Sequence, residues 1–198
     1  MPPYAPENGA PPVSGTDDAQ ADDPPISLYI DVVREDGGWD CLPAAAETLA
    51  RDAAAALAEE LGIGSGEVCL ALSTDALVAE LNGSYRGKPV PTNVLSFPAV
   101  PMLPVEGEPR FFGDIALALE TLQREAADLG LPLSHHMQHL VVHGLLHLLG
   151  YDHQTDDEAQ EMESLEVRIL ARLGIADPYA AAGDAGDSPV DGSRRTTP

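Results

Sequence analysis

Residues 140–153 read LVVHGLLHLLGYDH, and the two histidines buried in that apolar run decide what the rest of the chain must fold around. From Leu140 to Leu149 only His143 and His147 are polar; every other position is Leu, Val or Gly. A helix that is apolar on all sides is a buried helix. Two imidazoles inside it need partners, because an unpaired buried polar group costs roughly 1–3 kcal/mol. Standing four residues apart, both rings leave one face of the helix a turn apart. That spacing lets two nitrogens converge on one ion at about 2.0–2.1 Å. Gly150 then stops the helix, and a turn through Tyr151 and Asp152 can bring His153 onto the same ion. His139, one turn before His143, is the competing third ligand, but its polar flank places it toward the exposed start of the helix. His135 and His136, at that start, read as solvated.

Three neutral imidazoles leave a divalent ion with its full charge and an open position. No fourth Cys or His closes the site, although Asp152 could. Zinc is the expected metal, with nickel, copper or iron also compatible with imidazole ligands. An open zinc lowers the pKa of coordinated water toward 7 and so favours hydrolysis.

Working outward, ISLYIDVV alternates as a strand does. The Ala-rich stretch from Pro43 reads as a helix ending at Gly62, and EVCLALS as a second strand, a strand–helix–strand unit that favours parallel pairing. TDALVAELNGSYRG opens on a capping Thr74 or Asp75. TNVLSFP and FFGDIALAL are two further strands separated by a Pro-rich loop. Three helices follow, in LETLQREAADLG, SHHMQHLVVHGLLHLLG and TDDEAQEMESLEVRILARLG. The expected fold is α+β, a small mixed β-sheet packed by about five α-helices, with a histidine-bearing central helix at a metal cleft. Residues 1–25 and 179–198 are rich in Pro, Gly, Asp and Ala and read as disordered tails around a folded domain at 26–178.

The 198 residues suffice for one domain with a real core. Cys41 and Cys69 are too few for a disulfide framework; Cys69, in an apolar run, reads as a core residue. No apolar run approaches a membrane span, and the first residues lack a secretory pattern, so a cytoplasmic location is expected. A formal charge of −23 argues against phosphate-rich partners. Its distribution qualifies that: Leu81 to Val105 holds no acid, while Arg86 and Lys88 supply two positives.

Zinc peptidases carry a general-base Glu beside the first ligand, in H-E-x-x-H. Here that position is Gly144, which counts against peptidase chemistry. The longer string HGLLHLLGYDH at 143–153 instead resembles the signature of the YbeY family, bacterial single-strand endoribonucleases of ribosomal RNA maturation. LNGSYRGKPVPTNVLSFP at 81–98 and FFGDIALAL at 111–119 are similar to two further blocks of that family, and DDEAQEMESLE through GIADPY is similar to its end. The resemblance covers most of Leu72 to Tyr179. It implies one zinc on His143, His147 and His153, and a functionally required Arg86, whose expected role is to bind substrate phosphate. It further implies single-stranded RNA as substrate, 16S ribosomal RNA 3′-end processing and ribosome quality control, and the small ribosomal subunit and assembly factors as partners. Asp114 and Asp152 are candidates for orienting a ligand imidazole; Thr92, Asn93 and Ser96 read equally as site residues or as turn and strand polar groups. No general base is identifiable. Two other readings stay open: a ribosome-assembly factor whose zinc is structural, and a zinc hydrolase of another substrate.

Overall fold

Strand β1 (Leu28–Arg34) buries Leu28 and Ile30 and exposes Tyr29 and Asp31, the alternation expected of a half-covered strand. This computed structural model describes residues 28–35, 37–100 and 108–180. The N-terminal tail expected at 1–25, all but Tyr179 and Ala180 of the C-terminal one, and the centre of the Pro-rich loop lie outside the described residues. A short 3-10 turn after β1 (Gly37–Cys41) carries Trp39, which is buried and donates its indole N–H to the Ser73 carbonyl at 3.2 Å. Helix α1 (Ala46–Leu61) begins three residues beyond Pro43 and ends at Gly62. Strand β2 (Gly66–Ser73) pairs parallel with β1. Helix α2 (Asp75–Arg86) is capped by Thr74, whose side chain accepts from the Leu77 N–H.

Strands β3 (Val94–Pro98) and β4 (Arg110–Ala118) complete a four-stranded mixed sheet of order β1-β2-β4-β3, with β3 antiparallel at one edge. Helices α3 (Leu119–Leu129), α4 (Leu133–Leu148) and α5 (Asp156–Arg172) follow. The expected α+β arrangement of a small mixed sheet and five helices is the one observed. One sheet face carries the main core, where α1 and α4 cover the strands that bear Ile30, Leu70, Ile115 and Leu117, and α5 packs on those two helices. On the other face α2 covers a smaller cluster of Val78, Leu95, Ala116 and Ala118.

Helix α4 is central, packing on α1, α3, α5, β3 and β4. Gly144 is what lets it lie so close to the sheet. A Cβ there would sit 3.1–3.2 Å from two Ile115 carbons and from Ser96 Oγ, and Ser96 donates its hydroxyl to the Gly144 carbonyl at 3.2 Å. The position lost to a peptidase base is thus one where helix–sheet packing leaves little room for any side chain. Among the described residues, no helix is long and apolar enough to cross a membrane.

Candidate metal centre

The end of α4 shapes the site. Gly150, at φ 96°, adopts a backbone that other residues resist. The Tyr151 N–H reaches back to the Leu146 carbonyl at 3.0 Å, and the Gly150 N–H to that of His147 at 3.1 Å. This closure satisfies the last carbonyls of the helix and reverses the chain. Asp152 then accepts the N–H of His153 on Oδ1 at 2.8 Å, and the Gln154 amide on Oδ2. Those two bonds hold its carboxyl below the usual range.

The reversal brings His153 to the other two histidines. One nitrogen from each of His143, His147 and His153 lies within 4.8 Å of the other two. The proton positions follow from the acceptors. His143 Nδ1 is 2.7 Å from Glu166 Oε1, and His147 Nδ1 is 3.0 Å from the Tyr151 carbonyl. An ionised carboxylate and a carbonyl only accept, so both Nδ1 atoms carry hydrogen and both Nε2 atoms present lone pairs. Those Nε2 atoms face each other at 3.1 Å. Two lone pairs that close repel unless a proton or a cation lies between them. A tetrahedral ion with imidazole bonds of about 2.0–2.1 Å sets its ligand nitrogens about 3.3 Å apart, so the donor set fits a divalent metal. Burial, and then the neighbouring His143 and His153, push the His147 imidazole below its ordinary pKa, which favours the neutral, ligating form.

Glu166, on α5, is the residue that sequence reasoning missed. Its side chain is 1% exposed and accepts from His143, from His139 Nε2 at 2.9 Å, and from the Tyr179 hydroxyl. Burial alone would raise its pKa; the donors from His139, His143 and Tyr179 outweigh that and hold it at about 2. Burial, reinforced by Glu166, pushes the Tyr179 phenol up. A carboxylate behind a ligating imidazole fixes its tautomer and raises its basicity. The signal was present in the helical period, since Glu166 stands on the buried stripe of Met162, Leu165, Ile169 and Leu170.

Several expectations need correction. His139 lies outside the group formed by His143, His147 and His153, and it is not at an exposed helix start; it is half-buried against Glu166. His136, read as solvated, is buried and bonds Glu125 at 2.9 Å. The start of α4 is covered by α3 and α5, which sequence spacing does not reveal. Asp114 is exposed and orients no imidazole: Ile115 meets α4 at Gly144, so its neighbour on the strand faces the opposite side. There it lies beside Cys69, which is half-buried rather than core; burial and then Asp114 raise that thiol. Asp152 orders the backbone of His153, not a ring. Tyr179, assigned to the tail, is tied into the folded unit.

The three histidines line a cleft of about 630 Å³ together with Arg86, Thr92, Asn93, Ser96 and Asp152. Arg86, the last residue of α2, is exposed and makes no ion pair among the described residues. The cleft therefore combines three histidines that could hold a cation with an exposed guanidinium, a pairing suited to an anionic ligand.

The profile of the family described as Endoribonuclease YbeY matches residues 39–174. A protein of Rhodopseudomonas palustris named Endoribonuclease YbeY is 50% identical over 154 residues, covering 77% of this chain and 81% of the relative. A protein of the same name from Parvibaculum lavamentivorans is 51% identical over 162 residues, covering 78% and 86%. The solution structure of TM1509 from Thermotoga maritima aligns with 84% of this chain and 100% of its own at 23% identity, with a TM-score of 0.48. With a family profile spanning more than half its length and relatives at half identity, the chain belongs to the endoribonuclease YbeY family.

Proposed function

We propose that the chain is a metal-dependent endoribonuclease acting on single-stranded RNA, with one zinc ion on His143, His147 and His153. The observation that carries this is the pair of Nε2 lone pairs facing across 3.1 Å in the same cleft as Arg86. The name borne by the relatives, Endoribonuclease, supports RNA as the substrate. When bound, a divalent ion held by neutral imidazoles supplies positive charge to a phosphoryl oxygen and acidifies coordinated water.

The chain's own residues do the rest. Glu166 and the Tyr151 carbonyl keep protons on Nδ1 of His143 and His147, so both Nε2 atoms stay free to ligate. Asp152 holds the turn that presents His153. Arg86 binds the scissile or adjacent phosphate and stabilises charge as it develops there. No general base is assigned. The substrate we infer is ribosomal RNA, with cleavage at the 16S 3′ end and a part in ribosome quality control, in the cytoplasm. A surface of charge −23 binds free RNA weakly, which supports recruitment through the small ribosomal subunit and its assembly factors. The domain we assign to this activity is 26–178 extended to Tyr179, with the rest of the two tails dispensable.

Cleavage of a single-stranded oligoribonucleotide by highly purified protein tests the proposal, with His147→Ala and Arg86→Ala compared at equal purity. Both variants should lose activity, and only His147→Ala should lose metal. Undiminished cleavage in both would mark the activity as a contaminant and leave the structural-zinc reading in its place.

A further inference from the structure

A second histidine–carboxylate pair lies beside the cleft and takes no part in holding a metal. His136 is buried at 5% exposure, and its Nδ1 has no partner among the described residues. Its one side-chain hydrogen bond among the described residues runs from Nε2 to Glu125 Oε2 at 2.9 Å. An orphaned imidazole nitrogen is unfavourable, and a leucine at this position would avoid it. What imidazole supplies that leucine cannot is the bond to Glu125. Glu125, on α3, in turn accepts from Asn93 Nδ2 at 3.0 and 3.3 Å. Asn93 precedes β3 and lines the cleft.

The orientation of that carboxamide is unambiguous. A carboxylate only accepts, so it faces Nδ2; the Val94 N–H only donates, and it meets Asn93 Oδ1 at 2.7 Å. One Nδ2 hydrogen is engaged by Glu125, and the other has no partner among the described residues, on a side chain that lines the cleft. Asn82 offers the contrast: it is buried, and its amide ties the loop at the Val90 carbonyl at 2.8 Å. Asn93 is held as firmly but opens onto the site. Arg86 supplies charge there, while a locked amide supplies a donor of fixed direction.

We propose that Asn93 donates a hydrogen bond to a phosphate or ribose oxygen of the substrate backbone, and that Glu125 and His136 are positioning residues that aim it. This rests on the reading of the cleft as an RNA-cleaving site. Glu125 touches neither substrate nor metal; it acts through Asn93. His136 holds Glu125 from behind, inside the core.

Kinetics and a side-chain signal together test it. Asn93→Ala and Glu125→Ala should each lower kcat/KM on single-stranded RNA by about tenfold, the worth of one directed hydrogen bond. The double variant should be no worse than Asn93→Ala alone, and Glu125→Gln, which keeps an accepting oxygen, should recover most of the loss. Zinc content should hold in all of them. The chain has three asparagines, Asn8, Asn82 and Asn93, so selective ¹⁵N labelling resolves the Asn93 amide protons. In the zinc-loaded protein their shifts should move with Glu125→Gln and again with millimolar adenosine 5′-monophosphate, which offers phosphate and ribose but no phosphodiester to cut. Additive losses in the double variant overturn the proposal, as do amide protons that ignore Glu125→Gln or the nucleotide. Wild-type protein that cuts no RNA would instead refute the reading of the cleft, an outcome distinct from cutting RNA with an indifferent Asn93.

Discussion

Replacing Glu166 by glutamine keeps shape and volume while removing the charge behind His143. The carboxylate accepts on Oε1 from His143 and on Oε2 from His139 and Tyr179. A carboxamide has one accepting oxygen, so either way it turns, its NH₂ faces a donor. Facing His143, it forces that imidazole's proton onto Nε2, the atom needed for ligation. Facing His139 and Tyr179, it leaves His143 with a neutral hydrogen bond in place of a stronger charge-assisted one. Both outcomes weaken the ligand. Partners of this kind are typically worth 10–100-fold in metal affinity, so the zinc Kd should rise by about that factor, read by competition with a chromophoric chelator at neutral pH. A folded variant that binds zinc within about threefold of wild type refutes the assignment, since it falls well short of that range. The same residue has an acid signature. Its pKa is held at about 2 against an ordinary 4.5, so its contribution is fully present above pH 4.5 and is lost as pH falls toward 2. That difference is worth roughly 3 kcal/mol. The metal-free protein should lose stability to urea over that window, and Glu166→Gln should lack this dependence.

Zinc affinity should fall at acid pH, because protons compete for the ligating imidazole nitrogens. His147, lowered by burial, resists protonation; a chelator titration between neutral and mildly acid pH that shows no loss of affinity would contradict imidazole ligation. Arg86→Ala should reduce kcat/KM on RNA by about a hundredfold with zinc content unchanged, and Arg86→Lys should restore only part, since it keeps the charge without the fork. Gly144→Ala gains up to about 1 kcal/mol of helix propensity, but its methyl meets Ile115 and Ser96 at 3.1–3.2 Å. Overpacking of this kind costs about 1–3 kcal/mol, so a lowered melting temperature is expected and a raised one would show that α4 has slack. A chain cut back to residues 26–180 should keep its thermal stability and zinc; ending it before Tyr179 should weaken zinc binding through Glu166.

Much of the fold could be read in advance because its signals are local. Alternation marked β1, Thr74 and Gly62 bounded their helices, and the greasy run around His143 and His147 announced a buried helix with a reason to hold two imidazoles. The spacing of those two and the stop at Gly150 also placed His153. Local signals fail where the deciding neighbour is distant in sequence. His136 and His139 look like a polar helix start until α3 and α5 cover them, and Asp114 looks well placed until strand alternation turns it away from α4.

By itself, then, the sequence determined the element order, the three-histidine site and the basic end of α2, since periodicity and i, i+4 spacing are properties of one chain segment. Only the tertiary structure decided which side chains stand behind the ligands. Helical period says that Glu166 is on a buried stripe; it cannot say that the stripe lies against His143, 23 residues earlier, because that contact is made by the packing of α5 on α4.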